Sequence, residues 1–111
     1  MQMNFLTQAE EGVMLKLWKL KKASVKEILE EYEEPKPAYN TTSTIIRILE
    51  KKKMVKHRKK GKGFIYEAKV SKEQYFKDVM EHFAENYKDI AIENLYSTLI
   101  SKRTVKDVFF N

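Results

Sequence analysis

Residues 39–63 read YNTTSTIIRILEKKKMVKHRKKGKG. Their first half has apolar residues three and four positions apart, a spacing that places side chains on one face of a helix. That apolar stripe comprises Ile45, Ile48 and Leu49, with Ile46 beside it. The pattern predicts a helix from about Ala38 or Asn40 to Lys52, which packs on a core through this stripe.

The other side of this predicted helix carries short polar side chains and an arginine: Asn40, Ser43, Thr44 and Arg47. Amide and hydroxyl groups of this length can reach base edges in a major groove, and Arg47 and Lys51 can meet phosphates. Two other roles stay open. Asn40 is also suited to capping the helix, and a threonine hydroxyl can bond the carbonyl one turn earlier. At least one threonine of residues 41–44 is expected to face the core.

A basic run with glycines follows this helix. From Arg47 to Lys62 the sequence holds nine lysines or arginines and one acid, Glu50. Strand-forming residues on both sides of a G-K-G segment predict a β-hairpin with Lys62 at its tip. The cations of such a hairpin can contact phosphates, which makes it a candidate wing, and the alternative is a solvated hairpin. The wing residues assigned to DNA are Arg58, Lys60 and Lys62.

Two more helices are predicted before residue 38. Both begin at a capping box, T-Q-A-E at 7–10 and S-V-K-E at 24–27, in which side chains satisfy free backbone N–H groups. Pro35 and Pro37 end the second helix and supply a turn. The expected core of the first helix is Ala9, Val13, Met14, Leu17, Trp18 and Leu20, and that of the second is Val25, Ile28, Leu29 and Tyr32. The chain is therefore predicted to be mainly α-helical with a small β-hairpin wing, a winged helix-turn-helix domain.

The charge of the chain is unevenly distributed. The net charge is +6, but residues 1–70 hold sixteen Lys or Arg against nine acids, whereas residues 71–111 hold six against seven. A basic segment is suited to bind a polyanion such as double-stranded DNA, and a near-neutral segment is suited to bind another protein chain. We therefore predict a DNA-binding domain over 1–70 and a helical dimerisation segment over 71–111.

The C-terminal segment reads as two amphipathic helices, the first capped by Ser71 with Gln74. Their large apolar residues either pack back on the DNA-binding domain or cover a second copy of the chain, and a near-neutral appendage on a basic domain favours the homodimer. The residues assigned to this interface are Phe76, Val79, Met80, Phe83, Ile92, Leu95 and Leu99.

Several classes of protein are not supported by the sequence. There is no cysteine, which excludes disulfides and thiolate metal sites and fits a cytoplasmic protein. No apolar run approaches the roughly 20 residues that span a bilayer, so no membrane insertion is expected, and no signal peptide is recognised. No phosphate-binding loop or nucleophile motif occurs. His82 with Asp78 and Glu85 is interpreted as ordinary helix surface. We expect no enzyme, no cofactor and no metal site.

Three segments resemble the penicillinase-repressor group of winged-helix regulators, the BlaI, MecI and CopY family. They are LTQAEEGVMLKLW at 6–18, AYNTTSTIIRILEKK at 38–52 and GKGFIY at 61–66. They are similar to the family's acidic helix start leading to a Trp, its T-x-x-T helix that ends in R-x-L-x-x-K, and its G-R-x-F-x-Y wing. The resemblance covers about residues 5–100.

The resemblance implies a homodimeric transcriptional repressor that binds an inverted-repeat operator. It places Thr41 and Thr44 at the T-x-x-T positions of a helix that enters the major groove. It also implies a partner, a membrane sensor with a metallopeptidase domain that leads to cleavage of the repressor when a β-lactam binds.

The sequence departs from the family at three places. Lys53 stands where most members have glycine, so a non-glycine residue must make the left-handed helix stop. Lys62 replaces the usual wing arginine, and the paired cysteines of the copper-responsive branch are missing.

A second hypothesis is a winged-helix module that binds proteins through its C-terminal helices and has no sequence-specific DNA binding.

Overall fold

The computed structural model describes residues 5–90 and, singly, Asn94, Ser97, Ile100 and Ser101. Its elements are α1 (Gln8–Leu20), β1 (Lys22–Ala23), α2 (Val25–Glu30), α3 (Tyr39–Lys51), β2 (Val55–Lys60), β3 (Gly63–Ala68) and α4 (Lys72–Asn86). The strands form one antiparallel sheet in the order β1-β3-β2. This is the predicted helical fold with a hairpin wing, to which the structure adds the two-residue strand β1. The prediction that Pro35 and Pro37 end the second helix is wrong, because α2 already ends at Glu30. None of the described helices is long and apolar enough to cross a membrane.

Three helices, α1, α2 and α4, begin next to the capping residues that the sequence predicted. The Thr7 hydroxyl accepts from the Glu10 backbone N–H at 3.2 Å, and the Glu10 carboxylate accepts from the Thr7 N–H at 3.0 Å. Ser24 and Glu27 make the same pair of bonds at the start of α2. The Ser71 hydroxyl accepts from the backbone N–H of Gln74 at 3.0 Å ahead of α4. All three predicted caps are confirmed.

A left-handed residue ends α3. Lys53 has φ 63°, and the two backbone bonds of a Schellman motif surround it: the Met54 N–H donates to the Leu49 carbonyl at 2.9 Å, and the Lys53 N–H to the Glu50 carbonyl at 3.0 Å. Met54 and Leu49 are both buried, which supplies the hydrophobic contact that accompanies this motif. The prediction of a left-handed stop without glycine is confirmed.

The core lies where α1, α2 and α3 meet the sheet. Its buried apolar residues are Val13, Met14, Leu17, Ala23, Val25, Ile28, Ile46, Leu49, Met54, Val55 and Tyr66. The predicted apolar stripe of α3 is wrong in one member. Ile48, which was placed in the stripe, is 39% exposed, whereas Ile46, which was placed beside it, is fully buried. Thr42, Ile46 and Leu49 are four and three positions apart, so they face the core together. The buried Thr42 confirms the core-facing threonine, and the predicted core position of Ala9 is wrong because Ala9 is exposed.

The chain divides into two compact units, one up to Val79 and one from Met80 on. In the first, Trp18 donates its indole N–H to the Val70 carbonyl at 2.9 Å, and the Leu6 N–H donates to the Tyr75 hydroxyl at 3.1 Å. These bonds fix the segment that leads into α4 against α1. The predicted boundary between residues 70 and 71 stays a prediction.

The residues assigned to dimerisation are only partly described. Phe76, Met80 and Phe83 are exposed, and Val79 is half-buried. In the second unit the rings of Phe83 and Tyr87 lie 5.5 Å apart between centroids. The remaining three, Ile92, Leu95 and Leu99, lie outside the described residues.

Candidate nucleic-acid interface

The exposed face of α3 carries most of the residues that the sequence assigned to DNA. Asn40, Thr41, Thr44, Arg47 and Lys51 are all exposed, and Ser43 is half-buried at the edge of this face. The N-cap of α3 is Ala38, which has no side-chain capping bond, so the alternative role of Asn40 as the helix cap is wrong. The Asn40 amide is therefore exposed and does not cap the helix.

Two side-chain bonds organise this face. The Thr44 hydroxyl donates to the Asn40 carbonyl at 2.9 Å, as expected for a threonine bonded one turn back. With its proton committed, the Thr44 oxygen presents lone pairs and can accept from an exocyclic amino group of adenine or cytosine. Arg47 donates from Nη2 to the Ser43 hydroxyl at 3.3 Å, which steadies the guanidinium along the helix.

Ile48 is an exposed residue of this face that the sequence analysis placed in the core. It lies four positions after Thr44 and three before Lys51, so it shares their face, and its side chain is 39% exposed. An aliphatic group among hydroxyls and cations suits the C5-methyl group of thymine, the apolar feature of the major groove. The signal was present in the sequence as three isoleucines within four residues, Ile45, Ile46 and Ile48. A helix spreads these positions over too wide an arc to bury all three fully.

The wing is a hairpin with a two-residue turn. Lys60 pairs with Gly63, so Gly61 and Lys62 form the turn, and Gly61 has φ 60°. A positive φ at the first central position matches a type II′ turn, which favours glycine there. Lys62 therefore lies at the tip of the wing, as predicted, and its side chain is exposed.

Alternation along β2 sends the wing cations to opposite faces of the sheet. Lys56 and Arg58 share a face with Lys22 and Glu67, and together they line one shallow depression. Lys59 shares the other face with His57, whose ring contacts Phe64 and Tyr66 on β3. This second face is the one that continues into the core and towards α3. Lys59, which the sequence analysis did not assign, therefore belongs among the candidate contacts.

Most of the cations of α3 and the wing form no ion pair in the described part of the chain. Lys52 is paired with Glu10 at 2.7 Å, Lys56 with Glu67 at 3.4 Å, and Lys19 with Glu31 at 2.6 Å, on the acidic side of α2. In the part of the chain that the structure describes, six cations of α3 and the wing form no ion pair within 4.0 Å: Arg47, Lys51, Arg58, Lys59, Lys60 and Lys62. Unpaired cations beside a polar helix face form the electrostatic footprint of a DNA-binding surface.

Comparison with known proteins agrees with this geometry. No curated protein matches the chain significantly. The family model described as the penicillinase repressor matches residues 6–108, which is nearly the whole chain. The chain therefore belongs to the penicillinase repressor family, whose winged helix-turn-helix members are DNA-binding transcriptional repressors.

Proposed function

We propose that this repressor binds an inverted-repeat operator as a homodimer, with α3 of each copy in the major groove. The observation that carries the proposal is the exposed face of α3. It is polar and cationic, and the helix has no carboxylate before Glu50. The Asn40 amide is free of the capping role, and the Thr44 oxygen, which donates its proton to the Asn40 carbonyl, keeps lone pairs that can accept from a base.

The residues of this surface have distinct proposed roles. Asn40, Thr41 and Thr44 read base edges, with Ser43 at the border. Arg47 and Lys51 meet phosphates beside the groove. The wing cations meet the adjacent backbone, with Lys59 on the face towards α3, Lys62 at the tip, and Arg58 and Lys60 as assigned from the sequence. Phosphate contacts fix the register of the protein on the duplex, while the base contacts select the sequence.

The dimer is supported by apolar surface that the described part of the chain leaves uncovered. Phe76 is 63% exposed, and Met80 and Phe83 on the same helix are also exposed. Within the first unit, Leu15 and Trp18 of α1 line an apolar groove of about 410 Å³ together with Phe76. A second copy that buries these groups gains about 25 cal/mol for each Å² removed from water. The protein-interaction hypothesis rests on the same surface, which a dimer of a DNA-binding repressor also explains.

The inducing partner is proposed from the family resemblance. A membrane sensor with a peptidase domain, responsive to a β-lactam, would lead to cleavage of the repressor and release of the operator. Incubation of the repressor–operator complex with membranes that carry such a sensor, with and without a β-lactam, tests this. A repressor that stays intact in both would remove β-lactam control from the proposal.

The DNA-binding proposal is tested by competition. Fluorescence anisotropy would compare DNA from upstream of the gene with a scrambled duplex, at a stated salt concentration. Thr44→Ala should reduce the preference for the cognate duplex by about 1–3 kcal/mol if a base contact is lost. Thr44→Ser is the matched control because it keeps the hydroxyl. Equal binding of both duplexes by the wild-type protein would contradict sequence-specific repression.

A further inference from the structure

In the described part of the chain, one side-chain hydrogen bond joins α3 to the wing. Glu50 is in the last turn of α3, and His57 is the third residue of β2. The Glu50 Oε2 and His57 Nδ1 atoms lie 2.5 Å apart. Within residues 5–90 it is the only side-chain hydrogen bond or ion pair between α3 and the hairpin.

The Glu50–His57 hydrogen bond requires a proton on one of its two atoms. An ionised carboxylate can only accept hydrogen bonds, so the imidazole must carry a proton on Nδ1 and donate it. This bond occupies the one carboxylate that lies among the nine cations between Arg47 and Lys62. Without the bond, the Glu50 carboxylate would be free to turn towards DNA phosphates and repel them.

Packing holds the imidazole in place on the wing side. The His57 ring meets Phe64 edge-on, with centroids 5.0 Å apart and planes at 80°, and it lies 5.8 Å from the Tyr66 ring. Tyr66 is directly opposite His57 in the sheet and is buried in the core. The left-handed turn at Lys53 reverses the chain, which lets a residue of β2 reach back to the helix.

Beyond His57, the hairpin is held by the backbone hydrogen bonds between β2 and β3. The remaining residues of β2 are exposed, as are the turn and Phe64. A two-stranded hairpin is at best marginally stable by itself. The base of the hairpin is held by its pairing with β1 and by the buried Val55 and Tyr66. The Glu50–His57 bond is the last side-chain bond to α3 before the exposed part of the hairpin, and it is therefore placed to set the direction of that part relative to α3.

We propose that the Glu50–His57 bond is a positioning contact that holds the wing at the angle at which its cations meet the phosphates beside the α3 site. This inference rests on the proposed function. Neither residue needs to touch DNA. The bond affects DNA binding indirectly, because it positions Lys62 and the other wing cations. It also keeps the Glu50 carboxylate from turning towards the phosphates, which it would repel.

The test separates position from charge with two substitutions of the same residue. Glu50→Gln removes the charge but keeps an oxygen that accepts from Nδ1, whereas Glu50→Ala removes both. The slope of log K against log salt is measured for operator DNA in each background, with and without Lys62→Ala. In the wild type and Glu50→Gln proteins, Lys62→Ala should reduce the slope by about 1, the value of one phosphate contact. In Glu50→Ala it should reduce the slope by less than half as much.

An equal effect of Lys62→Ala in the Gln and Ala backgrounds would overturn the positioning role. No effect of Lys62→Ala in the wild type would overturn it as well, because the wing would not touch DNA. Failure of the proposed function has a different signature, a wild-type protein without operator preference. If Glu50→Ala does not fold, His57→Leu against His57→Asn provides the same comparison, since Asn keeps a donor near the Nδ1 position.

Discussion

Ile48 brings an aliphatic side chain to the face of α3 that otherwise holds hydroxyls and cations. The groups it would meet in a major groove differ from those met by Thr44 or Arg47, because thymine alone presents a methyl group there. Single residues of this kind decide which base is preferred at one position of an operator. They contribute little to binding of unrelated DNA, which depends on phosphate contacts.

We expect Ile48 to recognise a thymine methyl group. Replacing each thymine of a selected operator with uracil should weaken wild-type binding at one position per half-site by about 0.8 kcal/mol, the value of one buried methylene. Ile48→Ala should abolish the difference between thymine and uracil, and Ile48→Val should keep most of it. Anisotropy titrations measure this, and an unchanged uracil profile in Ile48→Ala would exclude the contact.

Lys53 adopts a conformation that glycine adopts more easily. A left-handed φ of 63° costs an L-residue about 1–2 kcal/mol, while glycine loses about 0.5–1 kcal/mol more backbone entropy on folding than alanine. Lys53→Gly should therefore raise the free energy of unfolding by up to about 1 kcal/mol. Lys53→Ala removes the same charge without this gain and is the control. Urea denaturation measures both, and equal stabilities of the two variants would contradict the strain.

At the scale of elements, Glu10 connects the first turn of α1 with the C-terminal end of α3. Its carboxylate is buried and accepts from the Lys52 ammonium at 2.7 Å, 42 residues along the chain. Burial by itself would raise the pKa of Glu10, but the bonds from Lys52 and from Thr7 outweigh it and hold the pKa below its ordinary value. A carboxyl group with a lowered pKa in the folded state stabilises that state above its unfolded pKa. This stability is lost as the pH falls through the folded pKa.

Glu10→Gln should lower the free energy of unfolding at pH 7 by about 1–3 kcal/mol, the value of a hydrogen bond to a charged group. The difference from wild type should shrink as the pH falls through the lowered pKa of the Glu10 carboxyl, where the wild-type carboxylate takes up its proton. Glu11→Gln, one residue on and exposed, is the control. Denaturation curves at several pH values measure this, and a difference that does not change with pH would rule out the ionised pair as its source.

The wing presents its cations on two faces, and the faces can be tested separately. Lys59 shares the face of His57, towards α3, while Lys56 on the opposite face is already paired with Glu67. We expect Lys59→Ala and Lys62→Ala each to reduce the salt slope by about 1 and to weaken binding to all sequences alike. Lys56→Ala should leave the slope nearly unchanged.

The pair Arg58→Ala with Lys60→Ala tests the assignment made from sequence in the same salt titrations. A reduction of about 2 would show that both residues meet phosphates. An unchanged slope in this double variant would show that Arg58 and Lys60 do not meet phosphates, and that the wing contacts DNA through the face that carries Lys59. If every wing variant keeps the wild-type slope, the wing points away from the DNA.

For the whole molecule, the exposed apolar residues of α4 predict the oligomeric state. Phe83→Asp would force a carboxylate into an apolar dimer interface without a partner, at a cost of several kcal/mol. We expect this variant to sediment as a monomer at micromolar concentration, and to bind DNA weakly and without preference for an inverted repeat. Gln74→Glu, which adds one carboxylate to the other side of α4, should remain a dimer.

A two-fold dimer places two copies of α3 about 34–36 Å apart, or a multiple of that, on one side of the duplex. The operator should therefore lose affinity when the spacing between its half-sites changes by about five base pairs, half a helical turn. A wild-type protein that sediments as a monomer would contradict the dimer and the inverted-repeat operator together.

The sequence by itself determined the features that depend on neighbours a few residues away. The capping bonds at Thr7, Ser24 and Ser71, the hairpin with its Gly61 turn and the left-handed stop at Lys53 are all local. The caps and the turn are fixed by bonds within a few residues, so the residue types were sufficient to predict them. The left-handed stop at Lys53 was expected from the family resemblance, because lysine itself does not favour a positive φ. The polar face of α3 also followed from the sequence, because helical spacing alone sorts its side chains.

Only the tertiary structure decided that Ile46 is buried and Ile48 is exposed, because α1, α2 and β2 pack against α3 on the side of Ile46. The strand β1 has two residues, and it exists only because Ala23 pairs with Tyr66, 43 positions later. The bonds from Glu10 to Lys52 and from Glu50 to His57 also depend on elements brought together by folding. Periodicity describes one element at a time, whereas these features are set by the neighbour against which each element packs.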